Sequence, residues 1–171
     1  MKFRRLKSRT LTIFDFDDTL FSTDGHIVNI KTGKIYTTKE FSQLDVDSND
    51  YDFSEFRVPY LIEPITPNKS MIKKYLKAIE QYGINNVAII TARRLDKPVR
   101  KCLEKFNLPV VKIYTSNSDN NNAVQKKNIL KQLILDGDYS EVIIYDDSAE
   151  NLRVMRSLSH EMGINITTIQ V

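Results

Sequence analysis

Ten residues, Leu11-Thr12-Ile13-Phe14-Asp15-Phe16-Asp17-Asp18-Thr19-Leu20, constrain this chain more than any other stretch. The first half is apolar and β-prone, which reads as a strand buried within a parallel sheet. Two carboxylates one residue apart follow, then a hydroxyl. Alternate side chains of an extended chain share a face. Asp15 and Asp17 can therefore point into one crevice at the carboxyl end of the strand, where open α/β sheets bind ligands. Carboxylates that close repel unless a cation or a shared proton relieves them, and magnesium suits such a pair. The same residues also suit a plainer role, a strand entering an Asp-rich turn with Asp18-Thr19 capping a helix.

Strands of similar form recur. Val87 to Ile90 is apolar and ends at the Thr91 hydroxyl; Val142 to Tyr145 is apolar and ends at Asp146 and Asp147. Val110 to Tyr114 and Asn165 to Gln170 read as two more strands. A helix runs from a cap at Asn68 or Ser70 to about Tyr82, with Met71, Ile72, Tyr75, Leu76 and Ile79 at helical spacing and Gly83 closing it. Further helices span about Pro98 to Asn107, Ala123 to Leu135 and Ala149 to Leu158, and Ser116 to Asn122 is a polar loop. Strands alternating with helices imply βαβ units and an α/β, Rossmann-like parallel sheet flanked by helices. Residues 20–63 interrupt that pattern. His26 to Ile30, the turn Lys31-Thr32-Gly33 and Lys34 to Tyr36 read as a β-hairpin. Phe41 to Pro64 is acidic and aromatic, with Tyr51, Phe53, Phe56 and Tyr60 among Asp and Ser.

At 171 residues the chain is long enough for one domain with a substantial core, and 41% hydrophobic with 27% charged residues is the balance of a soluble globular protein. No apolar run is long enough to span a bilayer. The start, Met1 to Arg9, is charged but lacks the hydrophobic region of a signal peptide. A lone Cys102 excludes an intramolecular disulfide and fits a reducing cytoplasm. The sequon Asn165-Ile166-Thr167 is then a chance match. The net charge of +3 hides a division: residues 2–9 carry five basic and no acidic side chains, whereas residues 15–63 carry four basic and eleven acidic ones. A basic arm can reach toward phosphates or simply be a solvated tail. The acidic middle argues against a long polyanion lying across it.

Asp15-x-Asp17-x-Thr19 resembles the opening signature of the haloacid dehalogenase (HAD) superfamily of phosphohydrolases. The later elements of that pattern follow in order: Ile89-Ile90-Thr91, Lys126-Lys127 opening an amphipathic helix, and Ile143-Ile144-Tyr145-Asp146-Asp147. Together they cover Asp15 to Asn151, most of the chain. The resemblance implies one HAD-like domain over residues 1–171, with a mobile hairpin flap or small cap at about residues 20–64. It implies a magnesium-dependent phosphomonoesterase. Asp15 would be the nucleophile that becomes an aspartyl-phosphate, and Asp17 the general acid and base, a role that favours a raised pKa. Thr91 would hydrogen-bond the transferring phosphoryl group while also suiting a helix cap. Asp15, the Asp17 backbone carbonyl and Asp146 would hold Mg2+, with Asp147 binding directly or through water and Asn151 steadying the group.

The family spacing of Lys, two variable residues and two aliphatics selects Lys126 as the phosphate-neutralising lysine, although helical spacing alone lets either Lys126 or Lys127 lie near the core. Arg93 would contact the substrate phosphate, with Thr19 also on the substrate side; Arg94 would be solvated. Thr91-Ala92-Arg93 is similar to a sequence in the phosphatase part of phage polynucleotide kinase-phosphatases, though no kinase P-loop is present. A small flap leaves room for a bulky substrate, so the expected partner is a phosphorylated molecule such as a nucleic-acid 3′-phosphate end or a nucleotide. Two alternatives stay open: a sugar or nucleoside monophosphate phosphatase, and a binding module that kept the fold without turnover.

Overall fold

The computed structural model describes residues 9–44, 46, 48–61, 63–116 and 122–171. The first element of the described residues is β1 (Thr10–Phe14), followed by an insertion holding β2 (Phe21–Thr23), β3 (His26–Asn29), β4 (Ile35–Thr37), α1 (Thr38–Ser42), β5 (Tyr51–Asp52) and β6 (Ile65–Pro67). The chain continues through α2 (Lys69–Tyr82), β7 (Val87–Thr91), α3 (Lys97–Lys105), β8 (Lys112–Thr115) and α4 (Asn122–Gly137). It closes with β9 (Glu141–Asp146), α5 (Ala149–Arg156), α6 (Leu158–Met162) and β10 (Asn165–Gln170). Residues 2–8 of the expected basic arm, and 117–121 of the polar loop, lie outside the described residues. Among the described residues no helix is long and apolar enough to cross a membrane.

The α/β fold expected from the strand and helix pattern is what the chain adopts. Its main sheet has the order β10-β9-β1-β7-β8, with every neighbouring pair parallel. β1 is central and all five of its residues are buried, which is why its apolar run shows no alternation. The sequence lays β7 and β8 on one side of β1, then β9 and β10 on the other. Such a reversal leaves a crevice at the carboxyl ends of the strands. Phe14 stands opposite both Ile89 and Tyr145, so β1, β7 and β9 end nearly level.

Alternation sorts the strand side chains between two cores. Phe14, Val87 and Ile89 pack with Tyr75 and Ala78 of α2 and Val99 and Leu103 of α3. Leu11, Ile13, Ala88, Ile90, Val142 and Ile144 pack on the other face with Leu130 and Ile134 of α4 and Leu152 and Met155 of α5. Phe14 stacks on Tyr145 at 4.8 Å and meets Tyr75 edge-on at 5.5 Å. Asp15 continues the series Leu11, Ile13 and so turns toward α4.

The insertion contains the expected hairpin and more. Gly33 takes the left-handed conformation the turn needs (φ +69°), while Asn29 Oδ1 accepts the Lys31 and Thr32 N–H groups. β5 pairs with β3 as a third strand, and β2 pairs with β6 to close the base of the insertion. The helix α1 was not expected from apolar periodicity. Its signal is a capping box: Thr37 Oγ1 accepts the Glu40 N–H, and Glu40 Oε2 accepts the Thr37 N–H. Elsewhere the differences are at ends. α4 runs past Leu135 to Gly137, and the helix expected to reach Leu158 stops at Arg156, with α6 following.

Removing the ring that ties β1 to both β9 and α2 leaves a cavity in the sheet core. Phe14→Ala is expected to cost about 3–5 kcal/mol in urea unfolding.

Candidate active site

Lys126, in the second turn of α4, is 1% exposed, and its ammonium donates to Asp15 at 2.8 Å and to Asp146 at 2.8 Å. An ammonium in that position would be prohibitively desolvated without partners. Burial opposes its charge, but the Asp146 and Asp15 carboxylates outweigh that and hold its pKa above the ordinary lysine value. Asp146 is held further by the Ser148 N–H at 2.9 Å and by Asn151 Nδ2 at 3.0 Å. Ser148 also caps α5 by accepting the Asn151 N–H, so the helix start and the carboxylate are fixed together.

Asp147 completes a group in which Asp15, Asp146 and Asp147 bring ligand oxygens within 4.8 Å of one another. One ammonium faces three carboxylates. Burial, with repulsion from Asp146 and Asp147, raises the Asp15 carboxyl well above its usual range even though Lys126 pulls the other way. Burial and then Asp146 push Asp147 up to about 6, with Asp18 adding to the repulsion. This excess of close, buried carboxylate oxygen is the donor set that a hard divalent cation takes. Asp17 is not part of it through its side chain.

Asp17 instead receives Arg93 in a two-point clasp, Nε to Oδ2 at 2.9 Å and an Nη to Oδ1 at 2.7 Å. The Arg93 guanidinium is 3% exposed and lies between two rings, Phe16 at 5.7 Å and Phe56 of the insertion at 5.5 Å. Arg93, expected to contact the substrate phosphate, lines the cleft with Nε and one Nη of its fork joined to Asp17. Sequence spacing could place Arg93 beside Thr91 but could not show the rings that bury it. Thr91 is fully buried, and its hydroxyl accepts the Arg93 N–H at 3.2 Å, bracing the turn after β7.

Thr19 is also fully buried, its Oγ1 finds no hydrogen-bond partner among the described residues, and it does not line the cleft. Its predicted place on the substrate side is not where the fold puts it, because the turn after β1 folds Thr19 inward beside Leu20 and Phe21. Lys127 lies on the outer side of α4 in an ion pair with Glu161, so the structure separates the two lysines. Arg94 is exposed, as expected, at the rim. Asp18 has φ +57° and its carboxylate is bonded by Thr38 at the start of α1 and by Ser22, a link to the insertion that its sequence position did not reveal.

Asp15, Asp17, Asp18, Arg93, Lys126 and Asp147 line one cleft of about 470 Å³. Its floor holds Asp15, Asp17, Lys126 and Asp147; the insertion contributes Phe41, Phe53, Phe56 and Arg57 to the facing wall. The arrangement can hold a cation, neutralise an oxyanion with Lys126, and present carboxylates as nucleophile and proton carrier.

The chain is similar in fold to a chain in the solved structure of the Pnkp1/Rnl/Hen1 complex, with 16% identity and a TM-score of 0.51. The match covers 96% of this chain and 47% of that one, so this chain spans about half of its length. At that identity the likeness shows a shared fold and nothing finer. No family model and no curated protein matches the sequence.

The crowded carboxylates have a consequence for stability. Asp147 titrates higher when folded than when unfolded. Its contribution is thus fully present below the unfolded value near 4 and is lost as pH rises through about 6. Without divalent cation, Asp147→Asn should be more stable than the parent at pH 7.5 by about 2 kcal/mol, and the gap should close toward pH 4. Urea unfolding of both proteins across that range checks it.

Proposed function

We propose that this chain is a magnesium-dependent phosphomonoesterase of the haloacid dehalogenase type that works through an aspartyl-phosphate. The observation that carries the reading is the Lys126 bridge between Asp15 and Asp146 beside Asp147, at the carboxyl ends of adjacent strands. A binding module has no need to bury an ammonium under two carboxylates with a third against them. The order of motifs along the chain supports the same reading.

In this reading Asp15 attacks phosphorus. One of its oxygens forms the new P–O bond as the bond to the leaving alcohol breaks, and Lys126 neutralises charge on the phosphoryl oxygens. Asp17 gives its proton to the leaving oxygen. It then takes a proton from the water that attacks phosphorus, which returns Asp15 as a carboxylate and releases inorganic phosphate. Arg93 aims Asp17 through the two-point clasp. Mg2+, held by Asp15, Asp146 and Asp147, would supply the charge that offsets the carboxylates and the phosphate dianion.

Within this class we take a nucleic-acid 3′-phosphate end or a nucleotide as the substrate. The similarity of Thr91-Ala92-Arg93 to the polynucleotide phosphatase motif supports that choice, and so does a cleft whose cover is an insertion of fewer than fifty residues.

The test is phosphate release from 3′- and 5′-phosphorylated oligonucleotides, nucleoside monophosphates and sugar phosphates, with and without chelator. Asp15→Asn and Lys126→Met should each lower turnover by about a thousandfold or more, whereas Lys127→Ala should stay within about threefold. Chelation should abolish release and Mg2+ restore it. Release that survives Asp15→Asn would sink the mechanism, and turnover of sugar phosphates alone would sink the substrate.

A further inference from the structure

We propose that the wall around Phe41 and Phe53 is a subsite for a nucleobase, the planar part of the alcohol from which phosphate is removed. This rests on the phosphomonoesterase reading above and adds the group that the insertion recognises. The cleft has two chemically distinct sides. Its floor is charged, whereas Ile27, Phe41, Val46, Phe53 and Phe56 face it from the insertion.

If these rings served only as the core of the insertion, they would be covered. Ile27 is, at 3% exposure, but Phe41 and Phe53 remain half-buried and line the cleft. They hold each other edge-to-face at 5.2 Å, and Tyr51 braces Phe41 from behind at 4.9 Å. That packing fixes both rings at little further entropic cost when a ligand arrives. Phe56 differs from them in lying on Arg93 and on Gly25, where an added Cβ would come within 2.7 Å of the ring. It is the rigid join between wall and floor.

A ligand that fits must carry a phosphate at one end and an apolar, flat surface at the other. A sugar phosphate offers hydroxyls and would leave the wall facing water. A nucleobase offers a π-face, and stacking on aromatic side chains tolerates any base. Arg57 and Arg94 line the same cleft and suit the phosphodiester that precedes a 3′-phosphorylated terminus. The acidic balance of residues 15–63 disfavours a long strand lying over the insertion, so the subsite takes the end of a strand rather than its length.

The experiment compares two 3′-phosphorylated oligonucleotides that differ only at the last residue, one bearing its base and the other abasic. The base-bearing end should be favoured by about tenfold in kcat/KM, carried mainly by KM. Phe53→Leu keeps apolar volume without the ring face and should shrink that ratio to within about threefold, with an unchanged thermal midpoint reporting a folded insertion. Equal turnover of the two ends by the parent protein would overturn the subsite while leaving the phosphatase reading intact. Absence of Asp15-dependent release from both would overturn that reading instead. In that event, fluorescence of a terminal 2-aminopurine mixed with the Asp15→Asn protein decides the subsite: quenching that Phe53→Leu removes upholds it, and unaltered fluorescence refutes it.

Discussion

The buried ammonium of Lys126 is the interaction on which the rest of the site depends. It reaches Asp15 at the end of β1 and Asp146 at the end of β9, so one charge joins α4 to two strands of the sheet. Leaving either carboxylate without it would strand a buried charge, at a cost of several kcal/mol. Its presence still leaves the group short of positive charge. Burial first, and then repulsion among the carboxylates, raises Asp15 and Asp147. Stability is thereby given up locally, a cost that like charges gathered in a buried cluster impose.

Arg93 plays the matching part on the other side of the cleft. It joins the turn after β7 to the turn after β1 through Asp17, and its guanidinium sits between Phe16 of the core and Phe56 of the insertion. The insertion is thus more than a cover. One of its rings touches Arg93, which clasps Asp17, so the insertion and the position of Asp17 are mechanically linked. Asp18 makes a second tie, through Thr38 at the start of α1.

Much of this was legible beforehand. The apolar runs ending in Asp15, Thr91 and Asp146 are the strands β1, β7 and β9, since burial on both faces and a sharp polar stop are written locally. Gly33 marked the hairpin turn for the same reason. The α1 capping box, Thr37 to Glu40, was equally local but was masked by the absence of an apolar stripe. Lys126 and Lys127 could not be told apart by helical spacing. Thr19 was misplaced and the Asp17 partner of Arg93 went unseen because their surroundings come from other elements, and the aromatics of the insertion gave no sign of which would face the cleft.

The sequence by itself determined the order of strands and helices and the chemistry at the strand ends, because periodicity and chain-stopping charges act over a few residues. Only the tertiary structure decided which side chains meet. Lys126 finds Asp15 across 111 residues and Arg93 finds Asp17 across 76. Those pairings are set by the strand order β9-β1-β7 and by the packing of α4 and the insertion upon it. The physical reason is that a buried charge or an open ring face is a property of the surfaces enclosing it, and those surfaces come from distant parts of the chain.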